Sequence, residues 1–378
     1  MLKFWSYQKE YIKNKKILLN LIDKSISSGS IFFGKNLELF EKTFTSKYNS
    51  KYGVAVGSGT DALLIALKAL DIKNGDEVIT AANTAIPTIS AIISSGAKPV
   101  LVDINNDDFL IKIKKLNEAI TKKTKAIIPV HLYGQSADMD EILKISKKYK
   151  IHIIEDCAQA QGAKYKDKFV GTFGTFGCFS FYPTKILGAY GDGGFIFTQN
   201  YEFYKKIKRI RFYGIETVNI KNKFKDKYYA NEDGINSRLD EIQASILNFK
   251  LKKVGSFINR RRQIAKIYLK ELKLTNLILP NENKYNKHVY HLFTVYHKNA
   301  SHIIKLLKKN NIETRVIYPY PIHLMKAYKK LGSKNKELQN SERRSKGIFC
   351  LPLYPEMSNI MVHKVIKKIK DILKKNNL

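Results

Sequence analysis

Lys185 stands apart from the other basic residues because of what precedes it. Residues 170–184 carry no charge, and the run Gly177-Cys178-Phe179-Ser180-Phe181 is apolar apart from one hydroxyl. A lysine that follows such a run is expected to have a desolvated amine, and burial lowers its proton affinity and makes it a usable nucleophile for Schiff-base chemistry. A solvated surface lysine is the ordinary alternative. The run Ile153-Ile154-Glu155-Asp156-Cys157-Ala158-Gln159 puts two carboxylates at the end of an apolar stretch. A carboxylate there can hold a metal, a ribose or a protonated ring nitrogen, or simply cap a helix. In Gly57-Ser58-Gly59-Thr60-Asp61 two glycines let backbone N–H groups approach an anion at a helix start, and Ser58 as a plain N-cap is an equal reading.

These three segments need strands to carry them to one edge of a sheet, and the pattern supplies the strands. Residues 53–57 read as a buried strand entering a helix at 58–71. Strands follow at 78–80, 99–104, 126–130 and 151–155, separated by helices ending near Ser94, over 114–120 and over 139–149. This alternation predicts an α/β fold with a mostly parallel sheet, in which ligands gather beyond the carboxyl ends of the strands. Short strands are expected at 178–182 and 193–198, joined by a glycine-rich loop. The pattern then changes to one long helix from Asp240 to about Lys273, a strand at 288–296, and helices at 302–310 and 361–375. The expected division is a large domain over 1–250, including an N-terminal arm, and a smaller α+β domain over 251–378.

The 378-residue chain is 44% hydrophobic, enough for a full core. No apolar run approaches the roughly 20 residues of a membrane span, and the opening residues Met1 to Ser6 lack an apolar signal stretch. A cytoplasmic protein is the expectation. Cys157, Cys178 and Cys350 are odd in number and lack metal spacing, so neither a disulfide framework nor a metal is expected. The pairs His288/His291 and His297/His302 lack carboxylate or cysteine partners and read as structural. The net charge of +34 allows a nucleic-acid-binding protein. The lysines are instead spread over most of the chain and absent from 74–97, which favours solvated helix faces. The loop 188–194 does not open a helix in the dinucleotide pattern, and no Walker sequence is present.

Taken in order, the segments Gly57-Ser58-Gly59-Thr60, Asn83-Thr84, Glu155 to Gln159, Ser180 to Lys185, Gly234 to Gln243 and Tyr318 to His323 resemble the DegT/DnrJ/EryC1/StrS family of sugar aminotransferases. The resemblance runs from about Phe32 to Tyr354. It implies a type I pyridoxal-phosphate (PLP) transferase fold, aspartate aminotransferase-like, and a homodimer with shared active sites. It also implies roles: Lys185 joined covalently to the cofactor, Asp156 paired with the protonated ring nitrogen, and Gln159 on the ring hydroxyl. Gly59, Thr60 and Ser180 would hold the phosphate, with Asn236 reaching the neighbouring subunit's cofactor. Tyr318 and His323 would face the sugar. Many relatives carry an aromatic residue on the ring where this chain has Ala85, which leaves only a van der Waals contact.

The implied reaction moves an amino group from an amino acid, with L-glutamate expected, to a nucleotide-linked keto sugar. The segments Phe4-Trp5-Ser6-Tyr7 and Asn83 to Thr88 resemble members acting on dTDP-linked 3-keto-6-deoxyhexoses. A UDP- or GDP-linked 4-keto sugar is the alternative substrate. A sugar dehydratase of the same fold would carry histidine in place of Lys185, and a ligand-binding regulatory protein would lack turnover.

Overall fold

The structure, a computed structural model, describes residues 1–216, 228–331 and 338–377. Its strands are β1 (Tyr52–Val56), β2 (Glu77–Ala81), β3 (Lys98–Val102), β4 (Thr124–Ile128), β5 (His152–Asp156), β6 (Lys164–Tyr165), β7 (Lys168–Phe169), β8 (Phe176–Ser180), β9 (Gly194–Thr198), β10 (Asn286–Lys287), β11 (Phe293–Tyr296) and β12 (Ile348–Leu351). Its α-helices are α1 (Gln8–Ser27), α2 (Lys35–Lys47), α3 (Gly59–Ala69), α4 (Ile86–Ser94), α5 (Ile113–Glu118), α6 (Met139–Tyr149), α7 (Tyr201–Ile210), α8 (Glu241–Leu251), α9 (Val254–Leu272), α10 (Ala300–Lys309), α11 (Gln339–Ser345) and α12 (Asn359–Lys375). Several helices start where a short polar side chain takes up a free N–H of the first turn. Ser58 does so for α3, Asp138 for α6, Asp240 for α8 and Ser358 for α12.

Seven strands form one sheet in the order β1-β9-β8-β5-β4-β2-β3. β8, β5, β4, β2 and β3 pair in parallel. β9 is antiparallel to both neighbours, β8 and β1, so β1 runs with the parallel set. This is the mostly parallel α/β sheet expected from the alternating pattern. Both faces are covered, and side chains alternate between them. Phe179, Phe195 and Phe197 pack with Phe40, Phe44 and Tyr48 of the α2 region, while Cys178 and Ile196 face the opposite core with residues of α3 and α7. The aromatic side is dense. Phe44 alone meets Phe40, Phe179, Phe181, Phe195 and Phe197 with ring centroids 4.8–5.5 Å apart.

A separate core gathers Ile264 to Leu272 of α9, the antiparallel pair β11–β12, α10 and α12. Two expectations are corrected here. The helix expected over 240–273 is two helices, because the chain breaks at Lys252 and Lys253 between α8 and α9. Both lysines are good helix formers, so propensity carries no signal of the break; packing does, with Leu251 and Val254 both turned into the aromatic core. The strand expected over 288–296 is regular only from Phe293. Before it, Val289 N–H donates to Gly134 carbonyl and Tyr290 N–H to His288 Nδ1, so the backbone is bonded outside any ladder. The helices α1, α2 and α7 were absent from the sequence expectations.

Candidate active site

The carboxyl ends of β1, β2, β5 and β8 deliver Gly57–Thr60, Ala82–Ala85, Asp156 and Ser180 to one edge of the sheet. Gly59 and Ser180 meet there. A Cβ on Gly59 would lie 2.6 Å from Ser180 Cβ, so only glycine lets α3 start this close to the end of β8. Ser58 Oγ accepts from Asp61 N–H, so the cap reading holds, and a helix start of this kind is also where an anion is favoured. Ser180 Oγ accepts from Tyr182 N–H and retains its own proton to donate.

Lys185 sits in a tight loop after β8. Lys185 N–H donates to Tyr182 carbonyl and Ala189 N–H to Phe181 carbonyl, while a Cβ on Gly188 would lie 2.4 Å from Pro183 carbonyl oxygen. The side chain is partly buried, and desolvation lowers its pKa to about 8, with Asp156 opposing the shift. That raises the neutral fraction at pH 7 from about one in three thousand to about one in ten. Lys185 lines a small cavity with Trp5, Tyr7 and Glu10 of the N-terminal segment and with Arg261 and Glu356.

Asp156 is buried, 4% exposed, and burial raises its pKa. Its Oδ1 accepts from Ala158 N–H at 3.1 Å and its Oδ2 from Thr88 hydroxyl at 2.9 Å; Lys185 lies within electrostatic reach. Gln159 is fixed end for end. Its Oε1 accepts from Tyr133 N–H at 2.8 Å, so its amide nitrogen faces Tyr318 and donates to the phenol oxygen at 2.9 Å. One amide N–H is left for a further acceptor.

Other expected site residues take different positions. Ala85 is the N-cap residue of α4. Asn236 is exposed, and the next residue ties its segment to the start of α3, Ser237 Oγ accepting from Gly57 N–H and donating to Asp61. His323 is buried and pairs through Nε2 with Glu342 at 2.9 Å, leaving Nδ1 without a partner. Ile322 N–H donates to Ala82 carbonyl, which fixes this segment at the end of β2.

Sequence reasoning missed two histidines. His291, read as structural, is buried within electrostatic reach of Lys185; burial first, then Lys185 and Arg261, hold its pKa well below the usual range. His131 Nδ1 accepts from Ala137 N–H, so Nε2 carries the proton and donates to Glu155. His131, Glu155 and Cys157 lie close enough together for a metal, but Glu155 also accepts from the N–H groups of Gly171, Phe173 and Gly174. Its four acceptor positions are taken, so His131 and Glu155 belong to a closed hydrogen-bond network next to Asp156 in β5. All three cysteines are free and buried. No helix among the described residues is long and apolar enough to cross a membrane.

Comparison with known proteins decides the family. The profile described as the DegT/DnrJ/EryC1/StrS aminotransferase family matches residues 13–370. The chain belongs to this family. It is 37% identical to dTDP-3-amino-3,4,6-trideoxy-alpha-D-glucose transaminase of Micromonospora megalomicea subsp. nigra, over 98% of both chains. It is 40% identical to dTDP-3-amino-3,6-dideoxy-alpha-D-galactopyranose transaminase of Aneurinibacillus thermoaerophilus, over 98% of this chain and 99% of that one. The crystal structure of DesV from S. venezuelae superposes with a TM-score of 0.92 at 34% identity, over 98% of each chain. The fold is the type I PLP transferase fold, and the chain is a PLP-dependent aminotransferase; solved relatives carry the cofactor or its amino form.

The residues present fit that cofactor. The start of α3 packed on the Ser180 hydroxyl through Gly59 suits a phosphate. The amide nitrogen and oxygen of Asn83, 2% exposed, are both without partners beside Thr84 and Ala85. A desolvated carboxylate at 156 suits a cationic ring nitrogen.

Proposed function

We propose that the chain transfers an amino group from L-glutamate to a dTDP-linked 3-keto-6-deoxyhexose. The observation that carries the reaction class is the Lys185 amine, brought to about pKa 8 within electrostatic reach of the buried Asp156 at the carboxyl edge of the sheet. Bound PLP supplies an aldehyde that condenses with amines and a ring that accepts the electron pair left by a departing Cα proton. Lys185 Nζ would give the covalent attachment and, once released, carry that proton. A positioned base of this kind contributes about 10²–10⁴-fold. Asp156 would keep the ring nitrogen protonated. Gln159, its orientation fixed by Tyr133, would donate to the ring oxygen. Gly59, Thr60 and Ser180 would bind the phosphate, with Ala85 in van der Waals contact with the ring.

For the sugar, the names of the two transaminase relatives support a dTDP carrier and amination at carbon 3. His323, held through Nε2 by Glu342, would turn its unpartnered Nδ1 toward a sugar hydroxyl. Tyr318, accepting from Gln159, keeps its own proton to donate. Lys185 itself speaks against dehydration. We also read the protein as a cytoplasmic homodimer in which Asn236 enters the partner's site, with the large and small domains dividing near residue 250.

The test is incubation with L-glutamate and a panel of nucleotide-linked 3-keto and 4-keto sugars, with products identified by NMR. The expected product is the dTDP-linked 3-amino sugar, and Lys185→Ala is expected to abolish turnover. Amination only at carbon 4 would overturn the substrate, and full activity of Lys185→Ala would overturn the mechanism.

A further inference from the structure

We infer that Thr88, backed by Thr84, is a positioning residue that holds Asp156 in register with the cofactor's ring nitrogen; this rests on the reading of Asp156 given above. The geometry is a chain of hydroxyls inside the protein. Thr88 is 0% exposed, Thr84 1% and Asp156 4%, so no solvent competes for these bonds. Thr88 Oγ1 lies 2.9 Å from Asp156 Oδ2 and 3.0 Å from Thr84 Oγ1. An ionised carboxylate can only accept. Thr88 therefore spends its single proton on Asp156, and its lone pair receives the proton of Thr84. The direction of the whole chain, Thr84 to Thr88 to Asp156, follows from the charge at its end.

Both carboxylate oxygens are then held, Oδ1 by Ala158 N–H and Oδ2 by Thr88, so the plane of the group cannot rotate. The two anchors differ in kind. Ala158 is two residues on and moves with β5, whereas Thr88 stands in the first turn of α4, whose N-cap is Ala85. Thr88 thus ties the carboxylate to the segment that follows a different strand, β2, and carries Asn83 and Ala85, which would border the cofactor. Burial makes Asp156 reluctant to ionise, and a hydroxyl donor offsets part of that reluctance. In a dry site a hydrogen bond to a charged group is also among the stronger ones.

The experiment measures non-covalent binding to the Lys185→Ala protein, so that covalent attachment does not mask the contact. Two ligands are compared by equilibrium dialysis: PLP, and an analogue whose ring nitrogen is replaced by C–H. The parent is expected to prefer PLP. Adding Thr88→Val, which keeps the shape and removes the hydroxyl, is expected to weaken PLP binding about tenfold or more and to change analogue binding by less than about twofold. Thr88→Ser should restore the parent's preference, and Thr84→Val should give a smaller loss of the same pattern. Equal losses for both ligands would mean that Thr88 only supports the fold, and unchanged PLP binding would mean that it does nothing for Asp156; either result overturns the inference. A parent with no preference between the ligands would instead overturn the assignment of Asp156, and the inference with it.

Discussion

At the scale of single residues, the amine at 185 and the carboxylate at 156 set each other's protonation. Burial pulls the amine down to about 8 and the carboxylate up, and each charge partly reverses the shift of the other. In cofactor-free protein, Lys185 should therefore react with a lysine-selective acylating reagent with a midpoint near pH 8, below that of an ordinary exposed lysine near 10.4. Asp156→Asn removes the anion that opposes the shift, so the midpoint moves lower. Peptide mass spectrometry across a pH series reads both. A midpoint above 10 would show that the amine is solvated. His291 stays neutral over this range, so it adds no step of its own to the titration.

At the scale of elements, the close approach of α3 to β8 places two phosphate-binding candidates in contact. Gly59→Ala would push a methyl to 2.6 Å from Ser180 Cβ, and overpacking of this kind costs about 1–3 kcal/mol. The expected outcome is a lower melting temperature together with weaker PLP binding, measured by thermal denaturation and dialysis; a variant with wild-type values in both would show that the backbone yields without loss. The elements that carry Lys185 and Asp156 were legible in the sequence because Asp156 ends one short apolar run and Lys185 closely follows another, and such runs need no partner to be recognised. The partners were not legible. Thr88 and Asp156 are 68 positions apart, and His131 and Glu155 are 24 apart, and they meet only because the segments after β2 and β4 lie beside β5, a neighbour relation the pattern does not reveal. Helices α1 and α2 escaped notice because their apolar residues are diluted by lysine and asparagine, and their stability comes from contacts with α8. The break before α9 was hidden for a related reason, since 3.6-residue periodicity continues through two ordinary lysines.

At the scale of the whole molecule, the assembly can be tested without a structure of the dimer. If Asn236 completes the partner's site, mixing the Lys185→Ala protein with an inactive Asn236→Ala protein restores some activity. A mixed dimer then contains one site with both residues intact and one with neither. With random exchange of subunits, about a quarter of wild-type activity is expected. No recovery after verified exchange would place Asn236 in its own subunit's site. The exposed side chain at 236, on a segment anchored beside the start of α3, is compatible with this arrangement.

Helix α9 has a consequence for how the chain comes apart. Its first turns give Val254 and Ile258 to the aromatic core under the sheet, and its later turns give Ile264, Ala265, Tyr268 and Leu272 to the other core. One rigid rod is thus rooted at both ends, like a beam built into two walls. Melting either wall strips an apolar stripe from a helix that the other still needs, so a single calorimetric transition is expected, and two resolved transitions would show that the walls stand alone.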